Sequence, residues 1–102
     1  MRTEVQRLAA LGRLPSESAP PEAIAGREVL VRAIAGPLDL NEAKALAQIL
    51  GDDNCFGLAW SVLHLIETAP GWDLKHIPSG SSPWLATMRA RIFNARGASN
   101  GA

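Results

Sequence analysis

The sequence predicts an all-α fold, a single-domain bundle of about five helices around a central buried helix. Three observations carry this. Apolar residues recur at helical spacing in separate stretches, and no run shows the alternation with period two that marks a half-buried strand. Glycine and proline punctuate the stretches at Gly12, Gly36-Pro37, Gly51 and Pro70-Gly71. One stretch, Cys55 to Glu67, is apolar on nearly every face, as expected of a helix enclosed by others.

The elements follow in order. Thr3 to Leu11 reads as a short helix that Thr3 can cap, with Val5, Leu8 and Leu11 on one face and Gly12 as its stop. A Ser/Pro loop spans Pro15 to Pro20. The second helix begins at Pro20 or Pro21, where the missing amide of proline does no harm, and stops at Gly36-Pro37. Ile24, Val31 and Ile34, with Leu30 beside them, form its buried face. The third helix, 39–50, opens on Asp39-Leu40-Asn41-Glu42. That is the spacing at which a cap side chain bonds the third amide and a glutamate reaches back. Leu38 can pack on Ala43 as a hydrophobic staple.

The central helix is expected from Asp53 to Thr68, capped from the group Asp52, Asp53 and Asn54, with Trp60 in the core. Gly57, Ser61, His64 and Thr68 share one narrow stripe of it, where another helix could approach closely. Helices 39–50 and 53–68, joined by a very short connection, resemble one helical hairpin of a repeat-like stack. A long irregular loop runs from Pro70 to Ser82. Ser82-Pro83 opens the last helix as cap and first residue. Trp84, Leu85, Met88 and Ile92 form its apolar side, and Gly97 is its stop. Residues 1–97 are read as one helical domain and 98–102 as a frayed tail.

A chain of 102 residues, 47% of them apolar, is large enough for one unstapled core. Ten acidic and ten basic side chains balance, so the basic excess usual in nucleic-acid binders is missing. The charge is nonetheless segregated. Asp39, Glu42, Asp52, Asp53, Glu67 and Asp73 dominate the middle of the chain, while Lys75, Arg89, Arg91 and Arg96 end it. Cys55 is the only cysteine, which excludes an internal disulfide and suits a reducing, cytoplasmic setting. No run reaches the roughly 18 apolar residues of a membrane span.

Candidate chemistry is sparse. His64 and Glu67 lie three apart on one helix, and with His76, Cys55 or Asp52 could hold a metal. A helical metal site, however, draws ligands from several helices, and only one such pair exists. Cys55 near a helix start could be an activated thiol, but Asp52 and Asp53 oppose a thiolate and His64 lies ~13.5 Å along the helix. A packed, inert thiol is the preferred reading. No cofactor and no catalytic residue is assigned. Arg89, Arg91 and Arg96 are the residues a nucleic-acid-associated domain would use. Trp72 and Trp84 flank the long loop, either pinning it or offering a binding anchor.

The run from Leu58-Ala59-Trp60 through His64-Leu65-Ile66-Glu67 to Pro70-Gly71-Trp72 resembles a segment of small uncharacterised bacterial proteins of helical, HEAT-like type. The closing run Trp84-Leu85 through Arg89-Ala90-Arg91-Ile92-Phe93-Asn94-Ala95 is similar to their ends. Some proteins of that look are immunity proteins, which bind and neutralise a bacterial toxin. The resemblance implies a protein-binding module and no enzyme. On the charges and the loop, the residues expected to meet such a partner are Asp52, Asp53, Trp72, Asp73, Lys75 and His76, facing a basic toxin surface. Self-association is compatible with this reading, and no membrane is implied.

Overall fold

In the computed structural model, residues 1–80 and 82–101 are described, with side chains described as far as Ala95. The expectations for Arg96 and for the end of the tail lie outside the described side chains. Five α-helices follow one another: α1 (Thr3–Leu11), α2 (Pro21–Ala33), α3 (Leu40–Ala47), α4 (Leu58–Glu67) and α5 (Pro83–Gly101). One 3₁₀ turn, Leu74–His76, interrupts the loop before α5, and no strand occurs among the described residues. The Cα radius of gyration, 13.6 Å, is close to the ~13 Å of a compact chain this long.

The start of α2 at Pro21 and the stop of α1 at Gly12 (φ +81°) follow the sequence reading. So does the capping box. The Glu42 amide donates to Asp39 Oδ1 at 2.8 Å, and the Asp39 amide donates to Glu42 Oε1 at 3.1 Å. The staple pair Leu38 and Ala43 is buried. Ser82 also caps as expected, its Oγ accepting from the Trp84 amide at 3.3 Å and donating to the Gly51 carbonyl at 2.6 Å.

Helix α3 packs on α4, α1 packs on α2 and α3, and α2 touches α4. The core lies between them, built from Val5, Leu8, Leu46, Leu50, Val62, Leu63 and Ile66 among others. Helix α5 lies at the edge of this packing, after the loop that follows α4. It docks through long side chains: Trp84, Leu85 and Met88 are buried, and Arg91 pairs with Glu67.

Six expectations are corrected. The cap of α1 is Arg2, with no side-chain hydrogen bond, and Thr3 is already helical. Helix α3 ends at Ala47, although Ile49 and Leu50 stay buried beyond it. The central helix begins at Leu58 rather than Asp53, because Cys55 (φ +48°) and Phe56 (φ +54°) are left-handed and cannot continue a right-handed helix. Gly57, at φ +89°, is its cap, and a Cβ there would meet nothing within 4 Å. The small-residue stripe therefore meets no helix at Gly57, where a side chain would suffer backbone strain rather than crowding. Ser61 and His64 are exposed, and Trp60 is 37% exposed, so α4 shows one open face where the sequence suggested enclosure all round. Lastly, the backbone of α5 stays helical past Gly97 to Gly101.

Candidate functional site

The residues singled out from the sequence fall at opposite ends of α4. Asp52 and Asp53 precede it; Trp72, Asp73, Lys75 and His76 follow it. The ten residues of α4 rise roughly 15 Å between the two groups.

At the far end, the loop is pinned. Trp72 is half-buried against the core and stacks on the His76 ring, with centroids 5.8 Å apart and planes at 25°. Asp73 caps the 3₁₀ turn, its Oδ1 accepting from the Leu74 amide at 2.7 Å. The Asp73 amide donates to His76 Nδ1 at 3.1 Å, so a neutral His76 carries its proton on Nε2. Lys75 is exposed. A groove of about 430 Å³ runs beside this loop, between Trp72 and Asp73 on one side and Glu67, Arg91 and Ile92 on the other. Trp84 pins the chain as well, donating from Nε1 to the Asp53 carbonyl at 3.1 Å.

The near end is organised differently. Asp53 Oδ1 accepts from the Cys55 amide at 3.0 Å and Oδ2 from the Glu17 amide at 3.0 Å, so its carboxylate ties the loop after α1 to the turn before α4. Asp52 is exposed and meets Arg13 at 3.4 Å. The turn then climbs through three successive left-handed residues, Cys55, Phe56 and Gly57. Cys55 points inward and is 1% exposed, while Phe56 is 71% exposed. A bulky residue in this region is a true conformational outlier, at about 1–3 kcal/mol. The Asn54 side chain adds to the oddity: its Oδ1 is buried without a hydrogen-bond partner. Three unfavourable features thus meet in one turn, and the turn holds out an aromatic ring.

Phe56 borders a cleft of about 240 Å³ with Glu17, Pro21, Ile24, Ala25 and Glu28. The acids Glu17 and Glu28 line it, and Asp52 and Asp53 border a neighbouring hollow, joined to it through the bond from the Glu17 amide to Asp53; Arg13 and Arg32 are engaged with Asp52 and Glu28. Sequence reasoning missed Phe56 because a phenylalanine inside the apolar helix expected from Asp53 to Thr68 reads as core. The only legible signal was its place next to three cap-forming residues.

The chemical candidates are dispersed. Glu67 is held by Arg91 through two hydrogen bonds of 2.6 and 2.9 Å, and His64 lies over Trp60 with ring centroids 5.9 Å apart. The described residues contain no group of three or more His, Cys, Asp or Glu that could hold a metal ion. Burial first, and then the Asp53 and Glu17 carboxylates, push the Cys55 thiol up from its ordinary value. Those surroundings oppose a nucleophilic thiolate. Arg91 lies over the Trp60 ring at 5.7 Å and pairs with Glu67, whereas Arg89 is exposed.

The fold and site together define a small all-α bundle that displays one strained aromatic turn. No family model, no curated protein and no solved structure matches this chain. No described helix is long and apolar enough to cross a membrane.

Proposed function

We propose that this chain is a protein-binding module that engages its partner through the turn 52–57, with Phe56 as the anchor. The observation that carries the reading is the 71% exposure of a phenylalanine held at φ +54°. A strained, solvent-exposed aromatic does little for the folded state, and such rigid anchors dominate binding energy when a partner pocket encloses them. The acids around it suit a basic partner surface, since complementary charge speeds encounter and sets register. An immunity-type role fits within this reading: the partner is a bacterial toxin with a basic face, met in the cytoplasm, where the lone Cys55 stays reduced.

The test is titration calorimetry of the purified chain against the product of the neighbouring gene. Phe56→Ser is expected to weaken binding about tenfold or more, the scale of a hot-spot residue. Asp52→Lys should slow association and reduce its salt dependence. Lys75→Glu, at the other end of α4, should leave affinity unchanged. Equal affinity of wild type and Phe56→Ser would remove the reading.

A further inference from the structure

On the outer side of α2, Glu22, Ala25, Gly26, Val29, Arg32 and Ala33 recur at helical spacing, and all six are exposed. Val29, at the centre of this face, is 67% exposed, and on neighbouring α1 Leu11 is 56% exposed. Between the two helices lies an apolar groove of about 560 Å³, lined by Arg7, Ala10, Leu11, Gly26, Val29 and Leu30. Gly26 sits inside the helix with nothing within 4 Å of where a Cβ would be, so no packing within the chain accounts for a glycine there. A glycine in a helix interior is unfavourable, but it lets a second backbone come close.

The charges on this face indicate what lies against it. Glu22 stands at the start of α2 and Arg32 at its end. Glu22 has no ion pair among the described residues, and Arg32 reaches only Glu28 within its own helix, in a pair exposed enough to contribute little. A copy of α2 laid antiparallel, with the two-fold axis between Gly26 and Val29, sets each Val29 on the other chain's Gly26. The same register brings each Glu22 to the turn holding the partner's Arg32. The face is therefore self-complementary in shape and in charge, as a two-fold interface requires.

We infer that this face of α2, with the adjoining groove along α1, is the contact of a two-fold homodimer. The contact does not require Phe56, although Ala25 borders both the face and the Phe56 cleft and Arg32 pairs with Glu28 of that cleft. The Phe56 cleft borders α2 through Ile24, Ala25 and Glu28, on the flank away from the α1 groove. Helix α2 has 13 residues, roughly 20 Å of helix, so the interface is short and its occupancy is read over a wide range of protein concentration.

Sedimentation velocity of the full chain, from low micromolar to millimolar, tests this. The wild type is expected to pass from the 10.8 kDa monomer to twice that mass. Val29→Asp, at an exposed position, should keep its fold by circular dichroism and remain monomeric. Glu22→Arg and Arg32→Glu should each weaken the dimer about tenfold, the scale of one mispaired charge at close range. The double variant carrying both changes should recover most of the wild-type affinity, which loss of the Glu28–Arg32 pair alone cannot produce. A wild type that stays monomeric throughout overturns the inference, as does a Val29→Asp dimer of unchanged affinity or a double variant as weak as the single ones. A monomeric wild type whose binding to a different protein is lost with Val29→Asp would assign the face to that other partner and likewise overturn it.

Discussion

Phe56 and Trp60 exchange the roles their neighbourhood suggests. Both belong to an apolar run, yet the first is held out in solvent and the second lies half-way into the surface. Replacing Phe56 with Asn, which tolerates the left-handed region, removes conformational strain and little packing. Phe56→Asn is expected to leave unfolding free energy unchanged or raise it by up to about 1 kcal/mol. A urea titration showing clear destabilisation would mean that the ring supports the fold. Trp60 meets Trp84 edge-on, at 5.0 Å between centroids and 83° between planes, and carries Arg91 over its face. It therefore bridges α4 to α5 rather than filling the core. Trp60→Ala should cost about 2 kcal/mol, from the aromatic pair, the cation–π contact and partial burial. That is below the roughly 3–5 kcal/mol of a fully buried aromatic, and thermal melts distinguish the two.

Among the helices, each terminus has its own physical cause. Arg27, on α2, closes the end of α1 by donating to the carbonyls of Leu11, Gly12 and Arg13 at 2.9, 2.8 and 3.1 Å. Leu11 and Gly12 are among the acceptors a helix leaves unpaired at its C-terminus, and Arg13 opens the loop beyond it. Thr68, just past α4, accepts from the Leu38 amide at 3.0 Å and so joins the end of α4 to the approach of α3. Helix α2 carries the weakest choice of residue, a mid-helix Gly26 in open space. Gly26→Ala should raise stability by about 0.5–1 kcal/mol, because alanine loses less backbone freedom and here meets no obstacle. Denaturation at dilute protein, where self-association is absent, measures this directly. A loss of stability would mean that the glycine is needed within the single chain.

Across the whole molecule, one clasp joins three elements. Glu42 is 3% exposed and accepts from Arg2 Nε at 2.7 Å, from Arg2 Nη2 at 3.2 Å and from the Arg2 amide at 3.1 Å. The same guanidinium donates to the Ala35 and Pro37 carbonyls at 2.7 and 3.0 Å. The start of α1, the loop after α2 and the cap of α3 are thereby held together. Hydrogen bonds from Arg2 bring the Glu42 carboxyl from its ordinary 4.5 down to about 2, against burial, which pushes the other way. A carboxylate depressed in the folded state binds fewer protons there than in the unfolded chain. Its contribution is complete above pH 4.5 and is lost as pH falls toward about 2. Glu42→Gln should be less stable than wild type at neutral pH, and the difference should shrink on acidification through that window. Urea titrations in a pH series check it; a difference independent of pH would place the effect elsewhere than in the charge.

Much of the architecture is local and therefore legible in the sequence. The Asp39–Glu42 box, the proline at the start of α2, the glycine after α1 and the Ser82-Pro83 opening of α5 each act within a few residues. The all-helical class follows from their spacing and from the apolar period. Tertiary structure alone decided the rest. Whether an apolar residue is core or displayed depends on what lies opposite it, and one left-handed turn at Cys55 and Phe56 moved the start of α4 by five residues and rotated Phe56 into solvent. The arginine partner of Glu42, the carbonyls that Arg27 meets and the arginine partner of Glu67 lie between 14 and 40 positions away along the chain, so no pattern of neighbours reveals them. For the same reason the acidic turn and the Trp72 loop, which charge and composition place together, stand at opposite ends of one helix.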